Sequence, residues 1–216
     1  MLDVRVKTKV GGQIDVEIQI LPTEYMAERT LFYWSKMYTS QIHPGETYDK
    51  LKKCVTINIV DFEFTPLKKL YSSYHLTEDG TGDKLTDIIE IRFLEIPKLF
   101  DKDIVRDEND PIVQWMEFLD GKSKGVMEML AEKNKDIKKA YDLLKIISKD
   151  DKAKMLYEAR QAEISDELTR IKSAEDKKAE KIAENLLKMG LSSEQVAEAS
   201  EISLEKVLEL KRNKMN

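Results

Sequence analysis

Three side chains near the start of the chain have the types and spacing for metal chemistry: Asp3, Glu17 and Gln19. They fall in two runs that alternate apolar and polar residues, 2–7 and 14–20, separated by Gly11-Gly12. Alternation with a period of two is the pattern of a strand with one buried face, and paired glycines suit a turn. Glu17 and Gln19 then share the polar face of the second strand, and a hairpin centred on the glycines sets Asp3 nearly opposite residue 19. Two carboxylates from adjacent strands, with the Ile18 backbone carbonyl beside them, can hold a hard divalent cation such as Mg²⁺. Such an ion binds a phosphate oxygen and acidifies a bound water. The plainer alternative is a solvated polar face, which spacing alone does not separate from a metal site. Arg5 and Lys7 share the Asp3 face and supply positive charge there, either to phosphate or simply to water.

The elements that must position these groups are legible in outline. Residues 23–42 have the length and apolar spacing of a helix of about five turns. Met26, Phe32, Met37 and Tyr38 are its candidates for packing on a sheet, and Arg29 and Lys36 could touch phosphate. His43-Pro44-Gly45 ends it. The β-branched run 54–60 reads as a central strand. Runs 71–78 and 87–96 read as two further strands around a turn-like EDGTGD. Beyond Lys98 strand signal fades and helical patterns take over. Residues 151–187 form a long, highly charged helical tract, and a coda, 189–212, pairs two short helices with Ser192 and Gln195 in capping-box spacing. Three regions follow: a mixed α/β part at 1–100, a helical extension at 101–150 that packs on it, and a charged arm with a helix-turn-helix-like pair at 151–216.

Composition restricts the function classes. The formal net charge is −5 over 216 residues, and acids outnumber bases on both sides of residue 100. A broad basic nucleic-acid footprint is therefore missing, so any DNA contact must use local patches or metal ions. One cysteine, Cys54, excludes an intrachain disulfide framework and a zinc–cysteine cluster; it reads as a small buried hydrophobe. No apolar stretch approaches the ~20 residues of a membrane helix, and the N-terminus lacks an apolar signal core. A cytoplasmic location is expected.

The motifs occur in an order that resembles the PD-(D/E)XK nuclease family transposases, also called recombination-promoting nucleases. In that family an Asp leads one strand and E-x-Q follows on the next. Asp3, Glu17 and Gln19 match. The aromatic and basic helix matches through Arg29, Tyr33, Trp34, Lys36 and Tyr38, run 48–62 resembles the next core strand, and 190–207 resembles the C-terminal helical pair. The resemblance implies a restriction-endonuclease-like mixed sheet with flanking helices, followed by an all-α half. It further implies Mg²⁺ at Asp3 and Glu17, with Gln19 completing the catalytic set, and DNA phosphodiester hydrolysis tied to recombination or mobile elements. Many related nucleases carry a lysine where Gln19 stands, and a neutral amide brings no charge. Family members also have a segment before the Asp strand, so the core is expected to be shortened and incomplete. The alternative is a catalytically inactive relative that serves as a protein-interaction or regulatory module. It would bind a second copy or a full-length relative through its C-terminal helices.

Overall fold

A computed structural model describes the backbone of residues 2–214 and the side chains of residues 4–212. Strands β1 (Leu2–Lys7) and β2 (Gln13–Gln19) form the antiparallel hairpin. Its register is set two residues away from the expected one: Asp3 stands opposite Glu17, not Gln19. The reason is the turn, which is centred on Val10. Lys7 pairs with Gln13, and the five-residue loop between them is closed by the Thr8 amide on the Gly12 carbonyl (2.7 Å) and the Gly11 amide on the Thr8 carbonyl (3.0 Å). Gly11 has a φ of 89°, a conformation open to glycine.

Helix α1 (Met26–Thr39) crosses from β2 to β3 (Cys54–Val60), which runs parallel to it. β5 (Ile89–Glu95) continues the sheet in parallel, and β4 (Tyr71–Tyr74) closes the far edge antiparallel to β5. The five-stranded order is β1-β2-β3-β5-β4. β4 stops at Tyr74, shorter than the expected 71–78. Beyond it a single bridge joins Thr77 to Lys84, and the Glu78 carboxylate accepts the Gly80 and Thr81 amides at 3.0 and 2.6 Å. These local bonds compete with continuation of the strand.

Each sheet face has its own cover. On one, Ile59 and Leu94, with Val16, Ile18 and Ile57 beside them, pack against Ile96, Leu99, Ile104, Val113 and Met116. Those last residues come from the segment 96–104 after β5 and from α2 (Pro111–Asp120). On the other, Met26 of α1 packs with Val60, Ile91 and Phe93. That second face also carries Asp15, Glu17, Thr56 and Asn58. A solvated polar face was the plainer expectation; instead α1 lies over it, and all four residues are buried. Met26 and Met37 pack inward as expected, but Phe32 is exposed, with the Lys36 ammonium 4.4 Å from its ring centroid. α1 is also shorter than five turns, because the residues before Met26 form a turn.

Helices α3 (Lys124–Lys133) and α4 (Lys135–Ile147) join α2 in a second cluster around Phe118, Met127, Leu130, Ile137 and Tyr141. The chain divides into two compact units, 1–142 and 143–216. In the second, α5 (Asp151–Lys188) is one continuous helix. Its last turns pack with α6 (Ser193–Ser200) and α7 (Leu204–Lys214) around Ala183, Val196 and Val207. The Ser192–Gln195 capping box is present, as the spacing predicts. Among the described residues no helix is long and apolar enough to cross a membrane.

Candidate active site

Three adjacent strands bring the polar groups of the α1-covered face into rows. Glu17 lies between Asp3 of β1 and Asn58 of β3; Asp15, two residues earlier, lies between Arg5 and Thr56. Asp15 and Glu17 are each only 2% exposed. Carboxylates that deep are costly unless paired, and each has an arginine: Arg5 Nε stands 3.5 Å from Asp15 Oδ1, and Arg29 Nη2 stands 3.6 Å from Glu17 Oε1.

α1 is pinned over this face by polar bonds as well as by its methionines. The Thr30 hydroxyl donates to Asn58 Oδ1 (3.1 Å), the Asn58 amide donates to the Arg92 carbonyl (3.1 Å), and Trp34 Nε1 donates to the Cys54 carbonyl (3.0 Å). Trp34 in turn stacks on Tyr38, with centroids 5.0 Å apart. Thr30, Trp34 and Tyr38 are spaced by four, so they line one stripe of the helix. The residue before Thr30 is Arg29, whose guanidinium also lies 5.0 Å from the centre of the Tyr33 ring.

The structure thus brings Glu17, Arg29 and, through Asp15, Arg5 to one polar layer. Asp3 is in register with Glu17, while its side chain falls outside the described residues. Ile18 separates Glu17 from Gln19 and packs its own side chain on the opposite face. Gln19 is turned to the strand end, where its amide donates to the Leu21 carbonyl at 2.9 Å. Lys7 is exposed at the hairpin end opposite Gln13, and Lys36 is exposed over Phe32.

Four residues of this layer escape a reading of the hairpin alone: Asp15, Thr30, Thr56 and Asn58. A signal for three of them was there. Asp15 shares the alternation of Glu17 and Gln19, and Thr56 and Asn58 recur at every second position of an otherwise apolar central strand. Polar side chains at that spacing in a strand buried on both faces mark a polar layer. Cys54 ends the same row of β3, and burial pushes its thiol pKa up to about 11, away from nucleophilic use.

A second buried charge lies at the end of the same face. Glu95, in register with Val60 and Gln19, accepts the amides of Phe64 and Thr65 (2.7 and 3.0 Å), the Thr65 hydroxyl (2.6 Å) and the Lys98 ammonium (2.9 Å). Lys98 also donates to the Thr65 and Leu67 carbonyls at 2.8 and 2.7 Å. Burial pushes the Glu95 carboxyl up, but these donors outweigh it and hold it below the usual carboxylate range. This cluster ties the loop after β3 to the end of β5.

Hard oxygen donors suit a divalent cation, and the Glu17 carboxylate is one; the backbone of Asp3 stands in register with it on the neighbouring strand. Among the described residues no group of three or more His, Cys, Asp or Glu side chains is arranged to hold a metal. Comparison with curated proteins and with solved structures gave no match. A family model for the PD-(D/E)XK nuclease family transposases matches residues 1–174, which include the hairpin, α1 and the whole sheet. The chain belongs to that family.

Proposed function

We propose that this protein is a metal-dependent DNA endonuclease, acting in recombination or on mobile elements, with Asp3 and Glu17 as ligands of Mg²⁺. One observation carries the reading: a carboxylate 98% buried on the central hairpin strand, in register with a second acidic residue. A carboxylate at that depth has lost its water, and a cation brought within reach replaces part of that solvation. The ion supplies Lewis acidity to a phosphate oxygen and an acidified water. The chain supplies the rest. Glu17 and Asp3 fix the ion's place, with the Ile18 carbonyl as a further oxygen donor. Thr30 and Asn58 hold α1 at a set height over Glu17. Gln19, bonded to Leu21, orients rather than charges the site. Arg5, engaged with Asp15, keeps a second carboxylate neutralised nearby. Family membership supports a nuclease role and DNA as substrate. The test is nicking of supercoiled plasmid with Mg²⁺, with EDTA and with Glu17→Gln; nicking that both treatments abolish supports the reading, and nicking by Glu17→Gln contradicts it.

A second reading concerns α5. Leu156, Tyr157, Leu168 and Ile171 are all exposed and share one side of its first six turns. An apolar stripe on a charged helix favours helix–helix association, with a second copy or a full-length relative as partner. A solution molar mass twice that of the chain supports it; a monomer at tens of micromolar contradicts it.

A further inference from the structure

Hydrolysis of a phosphodiester builds negative charge on the phosphate oxygens, and sites that accelerate it place fixed positive charge there besides any metal ion. In this hairpin the position two residues after Glu17 holds a glutamine, whose amide is bonded to the Leu21 carbonyl. It carries no charge to offer. Lys7 and Lys36 are exposed away from the acidic row, and Arg5 is engaged with Asp15. Arg29 differs from these in position and in anchoring. It reaches Glu17 from the opposite layer, its side chain is 26% exposed, and its guanidinium lies over the Tyr33 ring. The next residue, Thr30, is bonded to Asn58, which sits beside Glu17 in the sheet. The Arg29 backbone is therefore fixed relative to Glu17, while its long side chain remains in reach of solvent.

We infer that Arg29 is the cationic residue of the nuclease site, a neutralising partner of Glu17 in the metal-free protein that transfers to the DNA phosphate when a divalent cation takes Glu17. The inference rests on the proposed nuclease reading. Like charges near one carboxylate repel, so an incoming cation and the guanidinium compete for Glu17. The displaced guanidinium, a planar fork of donors, matches two phosphate oxygens better than an ammonium does. The Tyr33 face gives the guanidinium a resting surface during the exchange.

The competition makes Arg29 separable from a merely structural cation, because its loss moves metal binding and turnover in opposite directions. Mn²⁺ binding is followed by electron paramagnetic resonance without DNA, and plasmid nicking with Mg²⁺ gives kcat and KM. Arg29→Gln is expected to bind Mn²⁺ roughly tenfold more tightly than wild type, since the competing charge is gone. It is expected to lose about 100-fold in kcat, the scale of one transition-state donor. Arg29→Lys should recover part of the rate. Arg29→Met, which keeps the aliphatic stem over Tyr33, replaces Arg29→Gln if the latter loses its native circular dichroism. Unchanged or weaker Mn²⁺ binding in the neutral variants, or nicking within about twofold of wild type, overturns the assignment. If wild type binds Mn²⁺ and nicks, and Glu17→Gln does neither, the site reading stands whatever Arg29 does; if wild type does neither, both fall.

Discussion

Two buried carboxylates on one sheet face are treated differently by the same fold. Around Glu95 the donors lie at 2.6 to 3.0 Å and come from backbone, hydroxyl and ammonium at once. Around Glu17 the arginine stands at 3.6 Å, on a side chain that still reaches solvent. The first arrangement leaves little that an outside ligand could improve, and it joins a loop to a strand. The second includes a partner that reaches solvent and that a cation can displace. Depth alone therefore does not mark a functional carboxylate; the strength and replaceability of its partners do.

The comparison breaks most clearly at Lys98. Lys98→Met leaves Glu95 buried beside an apolar chain, and a loss of about 3–5 kcal/mol is expected on urea unfolding. A loss below about 1 kcal/mol would show that the cluster is not the structural pair described. Acid sharpens the contrast next. The folded Glu95 carboxyl sits below its unfolded value, so its stabilisation is complete above the unfolded value of 4.5 and is lost as pH falls from there through the folded value. Glu95→Gln should flatten the dependence of unfolding midpoint on pH in that window; an unflattened profile contradicts the assignment. Thr30→Val, which removes the hydroxyl from Asn58, should cost about 1 kcal/mol in stability. It should also lower nicking more than that loss of fold explains, because α1 carries Arg29; wild-type nicking would separate α1 from the site. The smallest effect is at Cys54, where burial and a thiol pKa near 11 predict almost no labelling by a thiol reagent at pH 8 in the folded protein. Rapid labelling would mean that the β3 end opens.

Much of this was legible in the chain itself. The strand Cys54–Val60 is legible to the residue, because a β-branched run flanked by turn signals has few other uses. Glu17 and its strand stood out through alternation, and Ser192 through its capping partner. The hairpin register differs by two residues from one centred on the paired glycines, because the loop spans 8–12. The burial of Asp15 and Glu17 was not legible at all. It depends on α1 folding over a face that, by local pattern, belongs to solvent, and on bonds such as Thr30–Asn58 that join residues far apart in sequence. Phe32 shows the converse: an aromatic residue in an apolar-spaced helix faced outward because Thr30 and Met37 had already defined the inner stripe.

The most direct test of the central contrast is Glu17→Gln, measured on one preparation for both unfolding stability and plasmid nicking with Mg²⁺. Stability within about 1 kcal/mol of wild type is expected, since the Arg29 side chain left behind reaches solvent, together with loss of nicking. A protein destabilised by several kcal/mol, or one that nicks at the wild-type rate, would contradict it and place Glu17 beside Glu95 as a structural carboxylate.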